Sequence, residues 1–252
     1  MAVAIAGGVL TVLGDEPGSF FDGVDQSTVV VAGTFLLVIG GWAVSLCLHE
    51  FGHAIVAFRG GDREVYFKGY LTLDPRRYTD PVLSLLLPLL ILAVGGIPLP
   101  GGAVWINHHA LRNRRVESWV SLAGPLSNLA LGVLLTASVS VFFSSDLARG
   151  DMPPLANALS CLALLQIMAF LLNILPIPGL DGFGAIEPYL PYRARELGAK
   201  ARPWAPLVLF AVLIGIPEAN ILFFDGVRNL FDMVGGEAVA AAIGFDTFMF
   251  WR

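Results

Sequence analysis

The chain has 252 residues, of which 56% are hydrophobic and 14% charged, with a formal net charge of −5. A soluble domain of this length carries roughly a quarter charged residues, and a mean hydropathy of +0.74 excludes that class. The composition is that of a polytopic membrane protein, with no feature that calls for nucleic acid.

In chain order, the opening run MAVAIAGGVLTVLG is apolar but has no basic residue before it and no convincing small-residue cleavage site. It therefore reads as an irregular or interfacial start rather than a secretory signal. Spanning a bilayer takes about twenty apolar residues. Residues 29–48 qualify and continue as helix through Phe58; residues 119–143 and 155–175 qualify as well, the latter ended by Pro176 and Pro178. Residues 207–224 are a further candidate, broken by Gly215 and Pro217, and the tail 237–251 is short and interfacial in character. Residues 82–97 are sixteen long, interrupted by Pro88 and by Gly95 and Gly96, and length alone leaves open whether they cross. Cys47 and Cys161 lie within apolar runs, where free thiols pack as small hydrophobes.

Basic residues orient these segments. Arg59, Arg63, Lys68, Arg76 and Arg77 form one cluster, Arg112, Arg114 and Arg115 a second, and Arg193, Arg195, Lys200 and Arg202 a third. Residues 15–25 carry only acids. The positive-inside rule makes the three basic stretches cytoplasmic and the N-terminus external. Both flanks of 82–97 are then cytoplasmic, so that segment is expected to dip in and return, or to lie along the bundle, rather than cross; irregular backbone at that depth survives only if it lines a cavity or is covered.

Inside the first long helix stands LCLHEFGHAIVAF, residues 46–58. Ionisable groups in a membrane segment are costly and mark function. His49 and His53, at i and i+4, share one helix face and suit one Zn²⁺, while Glu50 beside them suits the general base of a metalloprotease. Gly52 leaves room for a neighbouring helix. Two histidines leave a tetrahedral zinc one protein ligand short. His108 and His109 precede an arginine-rich stretch and read as surface-loop residues. Asp181, in NILPIPGLDG (173–182), is the better third ligand, with Gly182 expected to permit a turn that aims the carboxylate inward. The helices at 29–58 and 155–175 run in the same direction, with one crossing between them, so His49, His53 and Asp181 arrive at one depth. His53 precedes Arg59 by about 9 Å of helix, which puts the group near the cytoplasmic face.

Three motifs together resemble the site-2 protease family of intramembrane zinc metalloproteases. HEFGH resembles its zinc helix, AGPLSN (123–128) its G-P-x-x-N element, and NILPIPGLDG its N-x-x-P-x-P-x-x-D-G signature. The resemblance implies an all-α polytopic membrane protein in a single embedded domain, 1–252. Its three-helix catalytic core would span about 29–185, with additional membrane segments over 186–252. It implies one Zn²⁺ per chain held by His49, His53 and Asp181, Glu50 as catalytic base, and Asn173 at the substrate or the developing oxyanion. Gly124 and Pro125 read as packing and kink residues, and Asn128 as a hydrogen-bonding residue across helices. There is no room for the PDZ or cystathionine-synthase-type domains of some members. Glu218 reads as a helix-end residue, with a gate as the alternative.

The reaction implied is hydrolysis of a peptide bond within or next to a transmembrane segment, in regulated intramembrane proteolysis. The bilayer is the medium, and the family's substrates suggest an anti-sigma factor or a membrane-bound pro-protein. Alternation in residues 64–73 and in GGAVWIN (101–107) predicts a small β element on the cytoplasmic side, whose edge would pair with an unwound substrate. The rivals are a zinc transporter and a non-catalytic helix-binding relative. Substrate identity, trigger and oligomeric state are not encoded in any residue pattern found.

Overall fold

The computed structural model describes residues 1–15, 26–73 and 105–252. The expected re-entrant segment, 82–97, lies outside the described residues. What is described is helical. α1 spans Ala2–Asp15, α2 Gln26–Gly60 and α3 Glu64–Phe67. A short 3-10 turn at His108–Ala110 leads into α4, Arg114–Phe142, followed by α5, Ser144–Arg149, and α6, Pro154–Asn173. Then come α7, Asp181–Ile186, a 3-10 turn at Glu187–Tyr189 and α8, Tyr192–Ala201. The chain ends with α9, Ala205–Gly215, α10, Pro217–Met233, and α11, Ala238–Phe248. Helices α2, α4 and α6 are long and apolar enough to cross a membrane, and α8 with α9, bent by 66°, could together supply a fourth span. This is the architecture of an all-α membrane protein.

Three expectations change. The N-terminal run is not irregular, because it forms α1. The run 207–224 is not one span, because α9 stops at Gly215 and Pro217, which lacks an N–H, starts α10 after an extended Ile216. The strand expected at 64–73 is absent: Glu64–Phe67 is a helical turn followed by hydrogen-bonded turns. Just ahead of it, Asp62 Oδ1 accepts the Glu64 N–H at 3.0 Å, the local contact of an Asx-type turn. Oδ2 of the same carboxylate accepts the Asn107 N–H at 2.7 Å, fastening residues 105–107 by side chain rather than by a β-ladder. Those residues are not in a strand, and 101–104 lie outside the described residues.

The contacts divide into two compact units. The first comprises Met1–Ser45, Ala130–Ile167 and Arg228–Arg252. In it α1 runs antiparallel to the start of α2 across small residues. A Cβ on Gly33 would stand 2.5 Å from the Thr11 nitrogen, and one on Gly7 or Gly40 would also meet facing backbone. Close backbone approach through glycines is how apolar helices gain packing without a hydrophobic drive. Gly41 faces Leu162, Gly132 faces Ile167, and Gly244 of α11 faces Asn157 and Cys161 of α6 in the same manner. Phe35 stacks on Phe248 with ring centroids 5.6 Å apart.

The second unit comprises Leu46–Leu129 and Met168–Val227. The end of α2 and the start of α4 pack antiparallel there, with Gly52 against Ala123 and Ser127, and Gly60 against Val116. Ala54, Ala57, Val65 and Val120 form its buried apolar cluster, with Tyr70, Leu71, Ile106 and Leu111 against it. Helix α2 ends because Gly61 takes φ +127°, with the Asp62 N–H bonded to Ala57 O and the Gly61 N–H to Phe58 O.

Gly33→Val should wedge α1 off α2, costing about 1–3 kcal/mol as overpacking does. Its thermal unfolding midpoint in detergent should fall, while Gly8→Ala, where a Cβ meets only side chains at 3.5 Å or more, should leave the midpoint unchanged.

Candidate metal centre

The site is built from three elements of the second unit. Helix α2 brings His49 and His53 to one face, one turn apart, both buried. The rings meet edge to face, with centroids 4.8 Å apart and an interplanar angle of 78°. Helix α4 lies against that face. Gly124 is the reason two imidazoles fit there, because a Cβ at that position would overlap the Nε2 atoms of both histidines.

Asp181 arrives by a different route. Helix α6 ends at Asn173, and the segment after it contains Pro176 and Pro178, neither of which can donate to a helical carbonyl. Gly179 takes φ +96°, the conformation that reverses the chain. Gly182 then sits so close to Ile174 and Leu175 that a Cβ would run into their backbone. The reversal expected at Gly182 is thus made at Gly179, and Gly182 serves close approach instead. Asp181 opens α7 as its first residue. Ser118 of α4 donates from Oγ to Ala185 O at 2.6 Å, which clamps α7 in place. Arg202 Nη2 donates to both carboxylate oxygens of Glu187, at 2.8 and 3.1 Å.

The result is three ligand atoms in one small group. His49 Nε2 and His53 Nε2 are 3.1 Å apart, Asp181 Oδ2 lies 3.2 Å from His49 Nε2, and Oδ1 lies 3.5 Å from His53 Nε2. Ligands of a tetrahedral zinc with bonds of about 2.0–2.1 Å stand about 3.3 Å from one another, so the donor set fits. Each histidine also has its other nitrogen occupied. His53 Nδ1 donates to Val120 O at 2.7 Å and His49 Nδ1 to Asn128 Oδ1 at 3.0 Å. Both protons therefore sit on Nδ1, and both Nε2 lone pairs point into the group. The Asp181 side chain is 25% exposed, against 7% and 10% for the histidines, so the group is most open on the carboxylate side.

Of the remaining expected residues, Glu50 is buried at 4% exposure, next to His49 on α2. Asn173 is also buried, and its amide donates to Ala169 O within α6 at 3.0 Å. His108 does not join the metal group; its Nδ1 lies 2.9 Å from Glu117 Oε1 on an exposed surface, and His109 is exposed too. Glu218 is exposed in the first turn of α10, where a helix N-terminus favours a carboxylate. Cys47 and Cys161 do not form a disulfide. Val120, Ser118 and the space at Gly124 were not evident as site features beforehand. The i, i+4 pairing of Gly124 and Asn128 on α4 was the available signal.

A membrane-type helical fold carrying a buried pair of histidines and a carboxylate, able to hold one metal ion, defines a membrane metalloprotein. Proteins of Mycobacterium tuberculosis and Mycolicibacterium smegmatis, each named "Putative zinc metalloprotease Rip2", are 48% and 46% identical to the chain. The alignments cover 87% of the chain and 82% of each relative. "Putative zinc metalloprotease YwhC" of Bacillus subtilis is 32% identical over 76% of the chain and 89% of its own length. The chain belongs to the site-2 protease family of zinc metalloproteases. No protein-family model matches the chain, and no solved structure does. Zn²⁺ is the ion these relatives indicate, and the donor set described above suits it.

Gly124→Ala should cost zinc affinity about as severely as disturbing an outer-shell partner does, roughly 10–100-fold. All three ligands remain in that variant. Metal content of the purified protein, measured by mass spectrometry beside His53→Ala, checks it.

Proposed function

We propose that this zinc metalloprotease is an intramembrane endopeptidase, hydrolysing a peptide bond within or next to a transmembrane segment of a membrane-protein substrate. The observation that carries the reading is the convergence of His49, His53 and Asp181 on one point, with two of the three borne by an apolar helix long enough to span.

Zinc bound there supplies Lewis-acid polarisation of the scissile carbonyl and a lower pKa for the attacking water. The chain's own residues do the rest. His49, His53 and Asp181 hold the ion. Glu50, one residue from His49 and buried, accepts the proton of the attacking water and delivers it to the leaving amine. Asn173, buried at the end of α6 just before the turn to Asp181, is assigned to the substrate carbonyl or the developing oxyanion. That role requires its amide to leave the Ala169 carbonyl it now engages. The apolar surroundings of α2 limit bulk water, which strengthens each of these polar contacts.

A transmembrane helix ties its amides into its own hydrogen bonds, so the substrate must unwind locally before attack. Residues 64–73 offer no strand edge for holding it, because they form a helical turn and hydrogen-bonded turns. Arg59, Arg63, Lys68, Arg112, Arg114 and Arg115 flank the end of α2 and the start of α4 that bear the site. By the positive-inside rule, that end is cytoplasmic in the cell membrane. Family membership supports assigning the chain a role in regulated intramembrane proteolysis, with an anti-sigma factor or membrane-bound pro-protein as the proposed substrate.

Glu50→Gln tests the reading. It should lower cleavage of a membrane substrate by about 10²–10⁴-fold, the usual worth of a general base, while leaving zinc content unchanged. Wild-type cleavage by this variant would remove Glu50 from the base's role, while a wild-type protein that binds zinc and cleaves nothing would return the zinc transporter or helix-binding alternatives.

A further inference from the structure

We infer that Asn128 is a positioning residue that sets the proton on His49 and thereby governs how tightly the chain holds its metal. The inference rests on the proposed zinc chemistry of the same centre and concerns a residue that touches neither ion nor substrate.

The two histidines differ in what holds their outer nitrogen. His53 Nδ1 faces the Val120 carbonyl, which can only accept, so that tautomer is secured by backbone whatever side chains are present. His49 Nδ1 faces Asn128 Oδ1 at 3.0 Å, and both residues are buried beyond the reach of bulk water. A neutral imidazole has a single N–H, and inside this group there is strong competition for it. The Asp181 Oδ2 acceptor lies 3.2 Å from His49 Nε2, and His53 Nε2, another acceptor, lies 3.1 Å away. Without an acceptor at Nδ1, the proton moves to Nε2 and hydrogen-bonds to Asp181. That internal bond consumes the lone pair of one ligand and ties up the carboxylate of another. Asn128 removes the trap by offering the better-placed acceptor on the outer side.

The identity of the acceptor matters as well. An amide can accept through oxygen or donate through nitrogen, and only the first leaves Nε2 free for metal. An aspartate at 128 can only accept and would hold the proton at least as firmly, as carboxylate–histidine pairs do at zinc. A leucine fills similar space and accepts nothing.

The test uses the full-length protein in detergent, titrated with zinc against a fluorescent chelator. Asn128→Leu should weaken zinc binding about 10–100-fold, the usual cost of losing an outer-shell partner. Asn128→Asp should bind as tightly as wild type or tighter. In the zinc-free protein, ¹⁵N shifts of His49 should report the Nε2–H tautomer in Asn128→Leu and the Nδ1–H tautomer in the other two. A role in packing alone would move neither the tautomer nor the rescue by aspartate. Wild-type affinity in Asn128→Leu, or weak binding in Asn128→Asp, would overturn the proposal. Neither readout involves proteolysis, so a wild-type protein that binds zinc but cleaves nothing would sink the protease reading and leave this one standing. A wild-type protein that binds no zinc would sink both.

Discussion

The centre depends on how closely helix α4 lies against helix α2. Gly52 admits the α4 backbone at Ala123, and Gly124 admits the imidazole tips of α2. With that approach made, the carbonyl of Val120 and the amide of Asn128 fall opposite the outer nitrogens of the two histidines. Helix α4 supplies no ligand, yet it orients both ligands on α2 and, through Ser118, clamps the short helix that carries the third. In an apolar medium this has added weight, because a misdirected buried polar group has no water to turn to.

Bringing a carboxylate to the histidines poses the opposite problem, since it must come from a chain that has just left its own helix. Two prolines stop α6 from continuing, Gly179 reverses the direction, and Gly182 lets the returning turn lie against the backbone it has just left. Asp181 is then the first residue of α7, so its position follows from backbone geometry rather than from a long flexible side chain. The quarter exposure of its side chain shows that this is the accessible edge of the group.

Much of this could be read before any coordinates. Long apolar runs give α2, α4 and α6 within a few residues, and the histidine spacing with the Pro-Gly-Asp segment gives the ligand set. What escaped reading has physical causes. Residues 64–73 alternate like a strand, but they form a helical turn and hydrogen-bonded turns beside an Asp62 carboxylate that holds the Glu64 and Asn107 N–H groups, and such a local side-chain contact leaves no periodic trace. The opening run lacks the length of a span, yet Gly7 meets Gly33 and Ala4 meets Gly40 of α2, a pairing visible only once two helices are side by side. The support for His53 comes from a backbone carbonyl, which every residue possesses, so no residue type could have announced it. Asn128 was visible as a polar residue on an apolar helix, but not which nitrogen it would meet.

The division of labour between α2 and α4 bears on how such a centre can be moved or copied. The five residues HEFGH specify two ligands and the candidate base, but not the protonation pattern that lets those ligands bind. That information is stored in a second helix, as an absent side chain at 124 and an oxygen at 128, some seventy positions away in sequence. Grafting the zinc helix alone onto another apolar bundle would therefore transfer the letters of the motif without its grammar. The smallest portable form of this metal centre is a helix pair together with the short helix that opens with Asp181.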